Sequence, residues 1–257
     1  MSTLFSLEGK NCLVTGASKG MGKAMALALA EHGAKVVISS RKQDQLEETA
    51  NEINAQIGDK NIIPIAANAG RKEDLSKLVE ETNKAIGKID VLIGNAGVNP
   101  HYGPMSDISD EAFDKTMATN VKSNHWLCQM VAPDMLEKGR GSIMITASVG
   151  AFGPSDTLGT YNISKLADIG LVRNLAMEWG PKGVRVNALC PGLIKTDFAK
   201  ALWDNPEAAA RATEQTPLRR FGEAEDFKGI AVFAASDASA YVTGQALTVC
   251  GGTHMWR

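Results

Sequence analysis

A chain of 257 residues with 44% hydrophobic and 22% charged residues is long enough for one large hydrophobic core, which excludes disordered and collagen-like proteins. Its formal net charge of −2 argues against a nucleic-acid-binding protein, which usually carries a basic face or tail. The four cysteines and four histidines show no metal-ligand spacing, so we expect buried free thiols and no metal site.

Short β-branched runs alternate with helical stretches along the whole chain. The predicted strands span residues 11–16, 35–39, 61–66, 89–94, 142–146, 184–189 and 246–250. The predicted helices span residues 22–33, 43–57, 72–86, 110–137, 161–179, 206–214 and 224–235. Repeated strand–helix–strand units predict an α/β fold, a doubly wound parallel sheet with helices on both faces.

Neither a linker nor an internal repeat divides this series, so we expect one domain over residues 1–257. One connection is unusually long, over about 192–220, and it carries Phe198, Leu202 and Trp203 among polar residues. Long insertions at the strand ends of such sheets usually form lids or substrate loops.

The two ends of the chain carry no recognisable targeting signal. The first residues, MSTLFSLEGKN, lack a basic region followed by an apolar core, and no apolar run approaches the ~20 residues that a bilayer span needs. The last residues, GGTHMWR, match neither a prenylation box nor a peroxisomal tripeptide. We therefore expect a cytoplasmic protein that does not insert into a membrane.

The first informative motif is TGASKGMG, which places Gly16, Gly20 and Gly22 between the first strand and the first helix. A phosphate on a helix N-terminus requires a close approach of the backbone, which a Cβ would block, and the free N–H groups then stabilise its charge. A glycine cluster alone also fits a purely steric turn. Its position in a strand–helix–strand unit favours a phosphate-binding turn.

The second motif is YNISK, in which Tyr161 and Lys165 lie on one face of the predicted helix. A nearby ammonium lowers the pKa of a phenol from ~10 toward working pH, which makes the phenol a usable general acid or base. Ser148, at the end of a predicted strand, is placed to hold a substrate oxygen next to the tyrosine. Taken alone, the motif also fits a surface tyrosine beside a helical lysine.

Together these residues resemble the short-chain dehydrogenase/reductase family, and the similarity runs nearly from end to end. The similar segments are the coenzyme turn TGASKGMG (15–22), GNAG (94–97), MATNVKS with Asn120, the trio Ser148, Tyr161 and Lys165, and PGLIKT (191–196) at the nicotinamide. The resemblance implies a single-domain Rossmann fold of seven parallel strands. Its coenzyme-binding half would span about 1–150, and its catalytic and substrate half about 140–257.

The resemblance also implies hydride transfer between a substrate carbon and the nicotinamide, while Tyr161 exchanges a proton with the carbonyl or alcohol oxygen. Ser148 would orient that oxygen, Lys165 would hold the nicotinamide ribose and lower the tyrosine pKa, and Asn120 would keep a water that links Lys165 to solvent. The residues expected to bind the coenzyme are Gly16, Ser18, Lys19, Gly20, Met21, Ser40, Arg41, Asn68, Ala69, Asn95, Ala96, Gly97, Tyr161, Lys165, Pro191, Gly192, Ile194 and Thr196.

Three positions depart from the family pattern. Gly94 stands at the first asparagine of the family segment, and we expect the change to be tolerated because Asn-Ala-Gly follows. Asn68 stands where many members have an aspartate that accepts from the adenine amino group, and its amide oxygen would accept more weakly. Cys250 replaces a common aspartate, and the sequence gives no functional account of that change.

The coenzyme preference is read from the end of the second strand, where Ser40 and Arg41 follow in place of an aspartate. In family members that use NAD, that aspartate accepts from the adenosine ribose hydroxyls. A guanidinium instead offers a planar fork matched to phosphate oxygens, and Lys19 adds positive charge. We therefore expect NADP(H), with NAD(H) as the alternative, although Arg41 and Lys42 also fit a solvated helix start.

The substrate is expected to be a hydrophobic or aromatic carbonyl compound or alcohol, because the candidate walls are mostly apolar. The expected contacts are Ser148, Val149, His101, Tyr102, Phe198, Leu202 and Trp203. Within the family, the branch that looks most similar is that of NADP-dependent carbonyl and retinal reductases.

Two rival functions remain open. A 3-oxoacyl-(acyl-carrier-protein) reductase would share every motif and would use a basic patch of Lys138, Arg140 and Lys182 to dock an acidic carrier. A catalytically silent NADP(H) sensor is the other, although such proteins typically lose the tyrosine or the lysine. The resemblance further implies a homotetramer joined through the helices of 110–137 and 161–179 and through the last helix and strand.

Overall fold

The structure is a computed structural model that describes residues 3–195, 203–204 and 206–255. Its strands are β1 Asn11–Thr15, β2 Lys35–Ser39, β3 Ile62–Pro64, β4 Val91–Gly94, β5 Gly141–Thr146, β6 Val184–Pro191 and β7 Ala246–Val249. Its α-helices are α1 Gly20–Glu31, α2 Gln43–Ile57, α3 Lys72–Ile86, α4 Asp110–Met117, α5 Ser123–Lys138, α6 Gly159–Trp179, α7 Pro206–Gln215 and α8 Lys228–Ala235.

The strands form one parallel sheet in the order β3-β2-β1-β4-β5-β6-β7. The chain moves outward from β1 to β3 and then returns to place β4 on the other side of β1. Ligands of such sheets bind at this reversal, outside the carboxyl ends of the strands. The predicted doubly wound Rossmann fold is confirmed, whereas the boundary between its coenzyme-binding and catalytic halves stays a prediction.

The hydrophobic core lies on both faces of the sheet because successive strand side chains point to opposite sides. Leu13 and Leu92 pack with residues of α3, α5 and α6, and their neighbours Val14 and Ile93 pack with residues of α1, α2 and α8. Burying a leucine or valine contributes roughly 1.5–3 kcal/mol, so the strands that hold the site are strongly anchored.

The predicted helix over 110–137 is in fact two helices, α4 and α5, separated by one π-helical stretch at Ala118–Lys122. Side-chain donors satisfy backbone carbonyls at this point: the Ser123 hydroxyl donates to the Thr119 carbonyl, and the Asn124 amide donates to the Asn120 carbonyl. Such local bonds compete with the regular helical pattern, and the stretch they produce carries the buried Asn120.

The long connection after β6 is closed at its base by a short bridge between Ile194 and Gly222. The Lys195 amide donates to the Gly222 carbonyl at 2.8 Å, and the Gly222 amide donates to the Leu193 carbonyl at 3.1 Å. Helix α7 lies within this connection. The predicted helix over 224–235 begins as a 3-10 turn, Ala224–Phe227, before it becomes α8.

Within the ranges that the structure describes, no helix has the length and apolar character needed to cross a bilayer.

Candidate active site

A cavity of about 1090 Å³ lies at the carboxyl ends of the strands, around the reversal between β1 and β4. Its walls bring together almost the whole predicted coenzyme set: Gly16, Ser18, Lys19, Gly20, Met21, Ser40, Arg41, Asn68, Ala69, Asn95, Ala96, Gly97, Tyr161, Lys165, Pro191, Gly192 and Ile194. Thr196 lies outside the described residues. Segments far apart in sequence therefore meet in one cavity.

The glycines of the first turn are required by close backbone approach. A Cβ on Gly16, whose φ is +64°, would lie 2.9 Å from the Ala96 Cα, and a Cβ on Gly22 would lie 2.3 Å from the Gly16 carbonyl oxygen. The turn after β1 thus packs directly on the turn after β4. It presents bare backbone at the N-terminus of α1, which suits a phosphate.

Asn95 ties three neighbouring strand ends together. Its amide nitrogen donates to the Gly16 carbonyl at 3.0 Å, its amide oxygen accepts from the Thr146 hydroxyl at 3.2 Å, and its backbone N–H donates to the Thr15 hydroxyl at 3.1 Å. These bonds fix the floor of the cavity, which Asn95 also lines.

Positive charge lines the cavity more widely than the sequence suggested. Arg71 and Lys115 join Lys19 and Arg41 in its walls, together with the carboxylates of Glu223 and Glu225. Arg71 lies three residues after Asn68, the residue expected near the adenine, so its position in the sequence could have predicted its place in the cavity. The cations and the helix N-terminus fit an anionic dinucleotide.

Asn68 lines the cavity, but its side chain also shapes its own turn. Its amide oxygen accepts from the Gly70 N–H at 3.0 Å, and its backbone N–H donates to the Asp74 carboxylate at 3.2 Å. The expected contact to an adenine amino group therefore competes with a bond that the oxygen already makes.

The predicted trio meets on one wall of the cavity. Ser148 caps the turn Val149–Phe152, where its hydroxyl accepts from the Gly150 N–H at 3.1 Å. Its side chain also hydrogen-bonds with the Tyr161 hydroxyl. The Lys165 Nζ lies 5.8 Å from the centre of the Tyr161 ring. A phenol, a hydroxyl and an ammonium are thus grouped where a ligand in the cavity can reach them.

The pKa of Tyr161 is raised above its ordinary value, not lowered as the sequence suggested. Burial is the largest cause, and Asp168 also raises the pKa. The Lys165 charge and the Ser148 hydrogen bond act in the opposite direction without outweighing burial. The prediction was wrong in this structure because it counted the ammonium alone, so the phenol is the dominant form at neutral pH.

Asp168 is a site neighbour that the sequence reasoning missed. The Lys165 Nζ donates to the Thr146 carbonyl at 2.7 Å and to the Asp168 carboxylate at 3.1 Å, while the Asn124 amide donates to the other Asp168 oxygen at 2.9 Å. The side chain of Lys165 is 4% exposed and that of Asp168 is 0% exposed. The sequence could have indicated this contact, because Asp168 is an acid three residues after Lys165 in an otherwise apolar run.

Asn120 is fully buried, and its side-chain amide and its backbone carbonyl all form hydrogen bonds. Its amide oxygen accepts from the Val98 N–H at 2.8 Å, and its amide nitrogen donates to the Val98 carbonyl and the Ser164 hydroxyl, both at 3.0 Å. Its backbone carbonyl accepts from Asn124 at 2.7 Å. These bonds brace the loop after β4 against α6, and the expected water-holding role would have to compete with them.

The candidate substrate contacts divide into two groups. Val149 and the exposed Tyr102 line the cavity together with Ser148. His101 is not among the lining residues, and its ring bonds to the Pro104 carbonyl at 2.9 Å, so its contact with substrate stays a prediction. Val98 and Asn99, which follow the GNAG segment, also line the cavity, together with Leu158, Asn162 and Leu193.

The long connection after β6 carries the remaining substrate candidates. The Trp203 ring lies against Lys195, with the Nζ 5.8 Å from the ring centre, and it is absent from the cavity lining, whereas Lys195 is part of it. Phe198 and Leu202 lie outside the described residues. The expected direct contact of Trp203 with substrate stays a prediction.

Cys250, which replaces a common aspartate, lies next to Gly192 of the cavity lining. A Cβ on Gly192 would lie 2.7 Å from the Cys250 Cα, so the two backbones are in contact beside the cavity. The Cys250 sulfur accepts from the His254 N–H at 3.5 Å, and the His254 ring stacks on Phe152 at 4.3 Å. The end of the described chain thus packs against the turn that follows Ser148.

Known proteins are similar to this chain in sequence. A family model described as "Enoyl-(Acyl carrier protein) reductase" matches residues 16–254. "Dehydrogenase/reductase SDR family member 4" of Homo sapiens is 40% identical over 247 residues, which cover 96% of this chain and 88% of the human protein. The Sus scrofa protein of the same name gives the same identity and coverage.

Two solved structures show the same fold at high similarity. A 7 α-hydroxysteroid dehydrogenase complexed with NADH and 7-oxo glycochenodeoxycholic acid has a TM-score of 0.93 and 35% identity, covering 98% of this chain and 97% of that one. A gluconate 5-dehydrogenase from Burkholderia cenocepacia J2315 in complex with NADP and tartrate has a TM-score of 0.92 and 29% identity, with coverages of 98% and 97%. The chain therefore belongs to the short-chain dehydrogenase/reductase family of oxidoreductases, which bind nicotinamide coenzymes.

Proposed function

We propose that this protein is an NADP(H)-dependent oxidoreductase that interconverts a ketone or aldehyde and the corresponding alcohol, with Tyr161 as the general acid and base. The observation that carries the proposal is the Tyr161 hydroxyl bonded to Ser148 beside Lys165, in the cavity that also contains the glycine turn. A proton donor and the glycine turn proposed to hold the coenzyme phosphates thus line the same cavity.

A bound nicotinamide coenzyme would supply the hydride for reduction or accept it in oxidation. The chain would hold it with the turn Gly16–Met21, with Pro191–Ile194 and with the Lys165 ammonium, all of which line the cavity. Ser148 and Tyr161 would hold the substrate oxygen between their hydroxyls. In reduction Tyr161 donates its proton to that oxygen, and in oxidation it removes one.

The protonation of Tyr161 favours the reductive direction near neutral pH. Burial raises the pKa of the phenol above its ordinary value, against the opposing effect of Lys165. The group is then a proton donor over the whole neutral range, as carbonyl reduction requires. Alcohol oxidation needs the deprotonated form and is expected to accelerate as the pH rises.

The preference for NADP(H) is supported by the charges of the cavity. Ser40 and Arg41 follow β2 at the position where an acid would repel a 2′-phosphate, and Lys19 and Arg71 line the same cavity. Guanidinium groups match phosphate oxygens in geometry. The similar solved structures include complexes with NADH and with NADP, so the proposal depends on these residues.

A hydrophobic substrate is supported by the walls near Tyr161. Val98, Val149, Leu158 and Leu193 all line the cavity. Apolar walls with a few convergent polar groups are typical of sites for small hydrophobic ligands. The similar hydroxysteroid dehydrogenase was solved with 7-oxo glycochenodeoxycholic acid, a ligand of this kind.

A 3-oxoacyl-(acyl-carrier-protein) reductase is the second candidate, since the description of the matching family model names an acyl carrier protein. The basic residues expected to dock the carrier do not favour it. Lys138 and Arg140 precede β5 and Lys182 precedes β6, whereas Ser148 follows β5. A strand of this length spans ~20 Å, so the patch lies at the opposite edge of the sheet.

The test is NADPH consumption by the full-length protein over aryl ketones, diketones, aldehydes, steroids and acyl-carrier thioesters, with Tyr161→Phe as the blank. We expect turnover of the ketones and a decrease of about 10³-fold in kcat for the variant, with a much smaller change in NADPH affinity. Turnover of the thioester alone would favour the second candidate. Tight NADPH binding without turnover of any compound would favour a silent sensor.

A further inference from the structure

A line of buried polar contacts runs from Lys165 away from the cavity. Lys165 bonds to Asp168 at 3.1 Å, Asp168 accepts from Asn124 at 2.9 Å, and Asn124 donates to the Asn120 carbonyl at 2.7 Å. Asp168, Asn124 and Asn120 are each at most 1% exposed. The contacts join α6 to α5 and to the π-helical stretch before it.

Gly94 makes room for this arrangement. A Cβ at Gly94 would lie 2.6 Å from the Asn124 amide oxygen and 2.8 Å from the Ile145 Cδ1. The first asparagine of the family segment therefore does not fit at residue 94 while Asn124 stays in place. The departure at Gly94 and the polar contacts behind Lys165 belong together.

The hydrogen-bond inventory favours an ionised Asp168. The two protons of the Asn124 amide nitrogen match its two acceptors, the Asn120 carbonyl and one Asp168 oxygen, while Lys165 donates to the other Asp168 oxygen. A carboxylate accepts both bonds without carrying a proton of its own. The pKa of Asp168 is raised above its ordinary value because burial outweighs the lowering by Lys165 and Asn124, so these two contacts are what keep the carboxylate form accessible.

Lys165 in turn needs this partner. An ammonium that is 4% exposed is costly to bury unless an opposite charge and hydrogen bonds compensate it. Its three protons have two acceptors in the described part of the chain, Asp168 and the Thr146 carbonyl, which leaves one for a ligand in the cavity. The ammonium is thereby held in one orientation.

We propose that Asp168, held by Asn124, is the buried counter-ion that fixes Lys165 and offsets part of its positive charge at the Tyr161 hydroxyl. Asp168 is then a positioning residue for carbonyl reduction, a role that rests on the hydride-transfer function proposed above. It touches neither the substrate nor the cavity and acts through Lys165.

The expected consequence is a shift in the pH dependence of the reaction. The groups that act on Tyr161 are Lys165 and Asp168 of α6, Ser148 after β5 and Cys190 of β6. The negative charge of Asp168 raises the pKa of Tyr161, so the phenol keeps its proton to higher pH. Reduction, which requires the protonated phenol, then stays active to higher pH than it would without Asp168.

The test compares wild type with Asp168→Asn, which keeps the shape of the side chain and removes its charge. We expect the alkaline decrease of kcat/KM for ketone reduction to move to lower pH by about one unit. Ultraviolet titration of tyrosinate gives the same quantity without turnover. The chain has three tyrosines, and the difference from Tyr161→Phe isolates the relevant phenol.

Two further variants separate charge from packing. Asp168→Glu retains the charge and should leave the alkaline limb within about 0.3 pH unit of wild type. Val172→Ala removes a buried side chain one turn further along α6, and we expect it to lower stability without moving that limb.

If Asp168→Asn fails to fold, Asn124→Ala should produce a smaller shift in the same direction, because Asp168 then loses a hydrogen-bond donor.

The proposal is overturned if folded Asp168→Asn, or Asn124→Ala where Asp168→Asn does not fold, shows the same Tyr161 titration as wild type. It is also overturned if Val172→Ala shifts the alkaline decrease of kcat/KM as far as Asp168→Asn does. A wild-type protein without hydride transfer would remove the proposed function but not this test, because the phenol titration still reports the charge of Asp168. A lower phenol pKa in Asp168→Asn would then support the electrostatic coupling by itself.

Discussion

Arg41 shows how one residue carries a functional preference that the fold leaves open. It is exposed, it follows β2 and it lines the cavity, whereas its neighbour Lys42 is equally exposed and absent from the cavity lining. Both are cations at the start of α2, so the sequence alone fits a solvated helix start for either. Their different positions relative to the cavity separate the two interpretations.

We predict that Arg41→Ala raises the Michaelis constant for NADPH by about tenfold, the effect of losing one charge-assisted contact to a phosphate. The constant for NADH should change little, because NADH has no 2′-phosphate. Lys42→Ala is the matched control and should affect neither constant. Tighter binding of NADH than of NADPH by wild type, or an unchanged NADPH constant in Arg41→Ala, would contradict the NADP(H) preference.

At the scale of elements, the turn between β1 and α1 depends on packing that a helix-propensity argument does not anticipate. Gly22 lies inside α1, where alanine would ordinarily stabilise the helix by about 1 kcal/mol. A Cβ there would instead lie 2.3 Å from the Gly16 carbonyl oxygen. Backbone contact, and not conformational freedom, makes glycine necessary at this position.

We predict that Gly22→Ala lowers the free energy of unfolding by about 1–3 kcal/mol and weakens NADPH binding, since α1 must move away from the turn. Gly229→Ala in α8 is the control: a Cβ there meets nothing within 4 Å, and the change should be neutral or stabilising by up to about 1 kcal/mol. Urea denaturation and coenzyme titration measure both effects. Equal effects of the two substitutions would contradict the packing argument.

The strands could be predicted from the sequence, whereas the π-helical stretch and the contact between Asn124 and Asp168 could not. The alternation of β-branched runs and helical stretches predicts the seven strands because a doubly covered sheet buries every strand. The π-helical stretch at Ala118–Lys122 is not visible in that pattern, because it depends on side-chain donors that bond to local carbonyls. The pairing of Asn124 with Asp168 joins residues 44 positions apart, and only the packing of α5 on α6 makes it possible.

The residues of the site could be predicted where they form local sequence motifs. Properties that depend on burial in the folded chain, such as a pKa, could not. Gly16, Ser148, Tyr161 and Lys165, identified from local motifs and the family resemblance, line one cavity, and their roles stay predictions. The direction of the Tyr161 pKa was not predicted, since it depends on how far the folded chain removes the phenol from water.

At the scale of the whole molecule, one face of α6 carries a stripe of exposed apolar side chains. Ile163, Leu166 and Met177 are 44%, 53% and 81% exposed and recur at helical spacing, and Phe113 of α4 is 38% exposed. An apolar stripe on a helix surface is usually covered by another element or another subunit. This supports the proposed homotetramer joined through these helices.

We predict that Met177→Glu reduces the mass in solution below four times the 27.3 kDa of one chain. The free energy of unfolding of the monomer should change by less than about 0.5 kcal/mol, because the side chain is exposed. Phe5→Glu, an exposed apolar position outside these helices, is the control and should leave the mass unchanged. Sedimentation velocity measures the mass, and a wild-type protein that sediments as a monomer would contradict the proposal.

The most direct test of the account follows deuterium from NADPH labelled at both C4 positions into the product of an α,β-unsaturated ketone. We predict one deuterium on the alcohol carbon with wild type, and formation of that product slowed by about 10³-fold in Tyr161→Phe. Deuterium on the β-carbon would show reduction of the carbon–carbon double bond instead. That result, or an undiminished rate in Tyr161→Phe, would contradict carbonyl reduction with Tyr161 as the proton donor.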